Sequence, residues 1–120
     1  MAMRGVRGAT MLTADDAAEM TEAVAELLLA MLARNAITTD DVVSVLLTST
    51  PDLRCAFPAS AAREAGFGDV PLICARELDI VGATPRCIRV LMHLTTELGR
   101  AEMRHVYLEG AASLRDDLPE

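Results

Sequence analysis

Seven side chains could form one chemical site: Arg7, Arg63, Arg89, Tyr107 and Arg115, with Glu77 and Cys74. Several guanidinium groups, a phenol, one carboxylate and a thiol make an anion pocket more readily than a general acid–base centre. His93 and His105 have no nucleophile partner, since no Ser sits in an elbow motif. There is no Gly-rich phosphate loop, and Cys55, Cys74 and Cys87 have neither CxxC nor metal-like spacing with the histidines. Covalent attack and metal chemistry are poorly supported, and no cofactor is called for. Arg89 is the most informative of the set, because it interrupts the apolar run Cys87–Met92. A buried strand carries a charge only where the charge has a partner. That partner is Glu77 or Asp79 from the preceding loop, in an internal ion pair, or an anion from outside; the residues alone leave both open. All eleven basic residues are Arg, so position is the signal at 89, not residue type.

These side chains need a sheet to carry them. Met3–Ala9 reads as a first strand, with Arg4 and Arg7 an odd number apart and so on opposite faces. Thr13–Arg34 reads as a helix with Thr13 as N-cap and Asp16 three residues on. Met20, Val24, Leu27, Leu28, Met31 and Leu32 form its apolar stripe, and Asn35 can close it. Val42–Thr48 is a strand apolar enough to be covered on both faces. Phe57-Pro58 opens a short helix with Pro58 at its first position, continuing over Ala59–Ala65 to a stop at Gly66. Val70–Ala75, Cys87–Thr95 and Arg104–Leu108 read as the remaining strands, and Glu109–Leu114 as a helical turn. Along Cys87–Thr95, residues 87, 89, 91 and 93 share one face. The order β-α-β-α-β-β-β specifies an α+β domain, a five-stranded mixed sheet with helices packed on it.

Composition narrows the function. The 120 residues suggest one domain, 1–120, with 115–120 as a flexible tail. A net charge of −7 and aromatic content of 2% argue against binding to nucleic acid or an anionic membrane. The longest apolar run, Leu27–Ala33, is too short to span a bilayer, and MAMRGVRGAT lacks the apolar core of a signal peptide. Three cysteines, an odd set, read as free thiols of a cytoplasmic protein.

Segments along nearly the whole chain then point one way. Arg4-Gly5-Val6-Arg7-Gly8-Ala9-Thr10, Thr50-Pro51-Asp52-Leu53, Phe57-Pro58-Ala59 with Arg63, and Val70-Pro71 follow one another in order. Cys74, Glu77 with Asp79, Cys87-Ile88-Arg89-Val90 and Arg104-His105-Val106-Tyr107-Leu108-Glu109 complete the series. In order and spacing they resemble the monofunctional chorismate mutases of the Bacillus type, the AroH class.

The resemblance implies a homotrimer in a pseudo α/β barrel arrangement, with active sites in clefts between subunits. It implies the Claisen rearrangement of chorismate to prephenate in phenylalanine and tyrosine biosynthesis, without nucleophile, proton transfer or cofactor. By resemblance, Arg89 donates to the ether oxygen, Arg7 and Tyr107 bind a carboxylate, and Glu77 and Cys74 hydrogen-bond the ring hydroxyl. Phe57, Ala59, Ile73 and Leu114 line the pocket, while Arg63 and Arg115 screen the second carboxylate at its mouth. Phe57, Ala59 and Arg63 come from the neighbouring subunit. Ser60 stands where the family often has Lys, which predicts weaker substrate capture. Cys74 and Glu77 are three apart, so the strand that carries Cys74 must end or bulge between them if both face one ligand. The alternative is a non-catalytic trimeric module that binds or senses a small organic anion; retention of Glu77 beside the cations weighs against it.

Overall fold

The apolar stripe of the long helix decides where everything else lies. In the computed structural model, which describes residues 1–111, that helix is α1, Ala17–Arg34, and its buried residues are the six of the stripe. Its C-terminus is closed by Asn35, whose backbone N–H reaches the carbonyls of Leu32 and Ala33. The Asn35 side chain donates to the Met31 and Arg104 carbonyls at 2.8 and 3.0 Å and accepts the Arg104 N–H at 2.8 Å. The N-terminus differs from expectation: the cap is Asp16, not Thr13, and its carboxylate accepts the Glu19 N–H at 2.8 Å. Both Thr13 and Asp16 have an acidic residue three positions on. The ionised carboxylate is the better acceptor at the positive end of a helix. Thr13 is tied in instead as a donor, its N–H and hydroxyl 2.7 and 2.9 Å from Glu19 Oε2.

Five strands form one sheet: β1 Ala2–Met11, β2 Val42–Ser49, β3 Leu72–Arg76, β4 Cys87–Thr96 and β5 Val106–Tyr107, in the spatial order β3-β2-β4-β1-β5. Antiparallel pairing joins β4 to both β1 and β2, whereas β2/β3 and β1/β5 are parallel. The crossover β1-α1-β2 is therefore split, with β4 lying between its two strands. Two boundaries move for local reasons. Val70 is not in β3, because its N–H closes a turn onto the Phe67 carbonyl at 3.1 Å. β5 keeps only Val106–Tyr107, because the Arg104 backbone is taken by the Asn35 side chain. The short helix α2, Pro58–Ala62, widens into a π-type turn, Arg63–Phe67, in which Gly66 takes φ of 107° and Phe67 is driven fully into the core.

The alternation of β4 assigns the faces. Ile88, Val90, Met92 and Leu94 are buried in the core cluster that contains the α1 stripe, while Arg89, Leu91 and His93 are half-buried on the reverse. On β1, Gly8 faces the helix so closely that an added Cβ would lie 2.5 Å from Met31 Sδ. The next residue, Ala9, is paired opposite Arg89 on the reverse face. Of β2, Val45 and Leu47 enter the core, Leu46 is half-buried and Val43 is exposed. Among the described residues, the two-sided cover that its composition predicts is supplied on one side only, and no helix lies over the reverse face, which carries Arg7 and Arg89.

Candidate active site

Strand register brings the charged residues to one spot on that uncovered face. Thr48 on β2 and Ala9 on β1 flank Arg89 on β4, Arg7 pairs opposite Leu91, and Tyr107 on β5 pairs opposite Ala9. The ladder runs one residue past β3, with the Glu77 N–H 3.0 Å from the Ser49 carbonyl. Alternation then turns Glu77 to the same face as Thr48. Arg7, Thr48, Glu77, Arg89 and Tyr107 line a cavity of about 190 Å³ floored by Leu46 and Leu91.

Arg89 has its internal partner, but the pairing is partial. Nη1 lies 3.5 Å from Glu77 Oε1, and the two side chains are 42% and 22% exposed. A charge-assisted N–H···O bond closes to about 2.7–2.9 Å, and ion pairs this accessible contribute roughly 0.2–1 kcal/mol. The guanidinium therefore keeps donors turned to the cavity. Cys87, two residues away, adds no negative charge, because burial pushes its thiol up to about 11.

Two further donors belong to residues that line the cavity. Arg7 Nε and the Tyr107 hydroxyl are both buried and unpaired among the described residues. Leaving such a group unsatisfied costs roughly 1–3 kcal/mol, so their convergence favours a ligand with acceptor oxygens. The Arg7 backbone is held in place by donation from its N–H to His105 Nδ1 at 3.0 Å.

The entry of β4 is fixed by the Thr50-Pro51-Asp52 turn. Thr50 Oγ1 accepts the Cys87 N–H at 3.0 Å and donates to Asp52 Oδ1 at 2.5 Å, and Asp52 also accepts the Arg86 N–H at 2.9 Å. Arg86 itself sits in the left-handed region, φ 48°. The Thr50 hydroxyl, ahead of the Arg86 amide, holds the Asp52 carboxyl below its ordinary range. A depressed carboxylate pKa gives stability that is present above the unfolded value and lost as pH falls through the folded one. Asp52→Asn is expected to lower the melting temperature at neutral pH by a margin that shrinks below about pH 4. Thermal melts across pH 3–7 check this; a constant margin would mean that the carboxylate charge is not what matters.

The remaining expected site residues lie elsewhere in the chain. Cys74 and Glu77 are not brought together. β3 pairs without interruption, so Cys74 points to the helix side, where its sulfur accepts the Ala59 N–H at 3.3 Å. The register irregularity in the β2–β4 pairing falls at Val42/Ser44 instead. Cys74 joins Phe57 and Ser60 in a second groove of about 730 Å³, with Ala59 at its edge. Phe57 is 72% exposed there. Arg63 donates to the Ser60 hydroxyl at 3.3 Å. Ile73 is exposed on the cavity's face of the sheet but does not line the cavity. Leu114, Arg115 and the 115–120 tail lie outside the described residues. Thr48 lines the cavity, and sequence reasoning missed it. Its signal was weak, since β2 also carries hydroxyls at Ser44 and Ser49.

Comparison with known proteins decides what this arrangement serves. The family model described as chorismate mutase type I matches residues 3–118. The chain belongs to the type I chorismate mutases. A chorismate mutase AroH of Bacillus subtilis (strain 168) is 42% identical over 119 residues, spanning 98% of this chain and 94% of its own. One from Thermus thermophilus is 44% identical over 117 residues, spanning 97% and 96%. The solved chorismate mutase of Clostridium thermocellum superposes with a TM-score of 0.89 at 39% identity, covering 91% of this chain and 97% of that one. The activity is accordingly that of a chorismate mutase, an isomerase of aromatic amino acid biosynthesis. A non-catalytic anion-binding module finds no support in these likenesses. Among the described residues no helix is long and apolar enough to cross a membrane.

Proposed function

We propose that the chain converts chorismate to prephenate in a homotrimer, each active site being the cavity of one copy closed by the groove of the next. The observation that carries the reading is Arg89: 3.5 Å from Glu77, yet with its guanidinium still open to the cavity. In the Claisen rearrangement one ether C–O bond breaks as one C–C bond forms, and negative charge builds on the ether oxygen. Arg89 donates to that oxygen, and its charge persists when the site is desolvated. Arg7 Nε and the Tyr107 hydroxyl take a carboxylate, which gives both unpaired donors a partner. Glu77 accepts from the ring hydroxyl and offsets the local positive charge. Holding the diaxial chair-like conformer supplies the rest of the acceleration.

The second copy contributes what the cavity lacks. About 190 Å³ is below the roughly 300–1,000 Å³ of ordinary ligand sites. Among the described residues no helix covers the sheet face around it, and Ile73 and Met3 stand exposed. Phe57, Ala59 and Cys74 of a neighbour would supply the missing wall, with Cys74 on the ring hydroxyl. Arg63 of that neighbour and Leu114 and Arg115 would close the mouth around the second carboxylate. The free thiols Cys55, Cys74 and Cys87 suit a reducing, cytoplasmic location.

Mixing two inactive variants tests the shared site. Arg89→Ala spoils only the cavity and Phe57→Asp only the groove. Co-refolded in equal amounts, random assortment gives about a quarter of the interfaces both halves intact, and that fraction of wild-type activity should return. No recovery, or a monomer by sedimentation, would sink the shared site and leave the family assignment standing.

A further inference from the structure

We propose that Thr48 is a positioning residue for the rearrangement: it holds Glu77 by one oxygen and so keeps the Arg89 donors available to the substrate. The inference rests on the site reading above and deepens it. Thr48 Oγ1 donates to Glu77 Oε2 at 2.5 Å, while the other oxygen, Oε1, faces Arg89 at 3.5 Å. In the ladders Thr48 lies opposite Arg89 on one side and opposite Ala75 on the other. Its hydroxyl therefore rises from the strand between the two charged residues.

The physical reason lies in how a carboxylate and a guanidinium behave when left alone. The favoured arrangement is bidentate, with two parallel N–H···O bonds. In that arrangement Glu77 would occupy the edge of Arg89 that has to meet the ether oxygen. Committing Oε2 to Thr48 withholds the second oxygen and leaves a single, long contact. Thr suits the task because branching at Cβ stiffens χ1, so the hydroxyl is aimed before substrate arrives. The strand it sits on is paired on both sides, which makes the placement more precise than a loop would.

The test is steady-state turnover of chorismate by Thr48→Val and Thr48→Ser, with Arg89→Ala in parallel. Val keeps the β-branched shape and removes only the hydroxyl. Thr48→Val is expected to lose roughly tenfold in kcat with KM changed by less than about twofold, and Thr48→Ser to regain most of the loss. In a Glu77→Ala background, measured by single turnover at high enzyme concentration, Thr48→Val should add no further loss. Thr48→Ala replaces Val if circular dichroism or assembly state shows that Val disturbs the fold. Wild-type kcat in Thr48→Val, or the same tenfold loss repeated on Glu77→Ala, overturns the role given to Thr48. Full activity in Arg89→Ala would instead overturn the site reading on which it rests.

Discussion

Arg89→Ala is expected to lower kcat/KM by about 3–4 kcal/mol of transition-state stabilisation, two to three powers of ten, while the protein melts close to the wild-type temperature. The two halves of that result have separate causes. Activity falls because, in the proposed mechanism, there is no nucleophile or proton transfer to fall back on and most of the protein's help is charge aimed at the breaking bond. Stability holds because Arg89 is 42% exposed and its ion pair with Glu77 is long, so its removal costs at most about 1 kcal/mol. Glu77 keeps its bond to Thr48 and is not left bare. Arg89→Lys should regain little, since an ammonium is a single point charge without the planar fork. Chorismate absorbance and a thermal melt read the two halves. Wild-type turnover in Arg89→Ala would move the chemistry to another group.

Phe67→Ala should do the reverse. Phe67 is fully buried in the main core and does not line the cavity. Truncating a buried Phe costs about 3–5 kcal/mol from lost transfer energy and the cavity left behind. Small proteins have roughly 5–15 kcal/mol in total, so the melting temperature should drop on the order of 10 °C or more. The same side chain anchors the π-type turn around Gly66. Loosening it frays the end of α2, yet the folded fraction should turn over chorismate at near-normal kcat. A denaturant melt and activity below the transition separate the two effects. A loss of kcat equal to that of Arg89→Ala would show that the turn, not the core alone, serves the chemistry.

The parts legible in the sequence were those governed by a single period. The six-residue stripe of α1 is its buried face, and the alternation along β4 sorts Arg89 from Ile88 and Val90. Where two local solutions competed, sequence could not choose. Thr13 was read as the cap, and Asp16, three residues on, takes that role because its oxygen is charged. The length of β5 depended on Asn35, distant in sequence, which takes both backbone groups of Arg104. Arg7, Glu77, Arg89 and Tyr107 stood among the seven candidates and line one cavity; of them only Arg89 was conspicuous by itself, as a charge in an apolar strand. Thr48 was not, because a hydroxyl in a strand is ordinary. Cys74 and Glu77 illustrate a different limit. Their spacing stated that one strand turns them apart, and it does; which copy each serves is a property of an assembly, and no period within one chain encodes it.

The position of β4 bears on how the chain comes to be folded at all. β1 and β2 share no hydrogen bonds; each pairs with β4. During synthesis the first 86 residues can form α1 and a β2–β3 pair, but no continuous sheet exists until Cys87–Thr96 has emerged and entered between strands already waiting. Pairing that late and that distant in sequence is slow and leaves apolar edges unpaired meanwhile. The strand that completes the sheet is also the one that bears Arg89. A chain that stalls before its insertion therefore has neither a closed sheet nor Arg89 in place. With Arg89 in its proposed role, mutase activity cannot return during refolding before the sheet has closed.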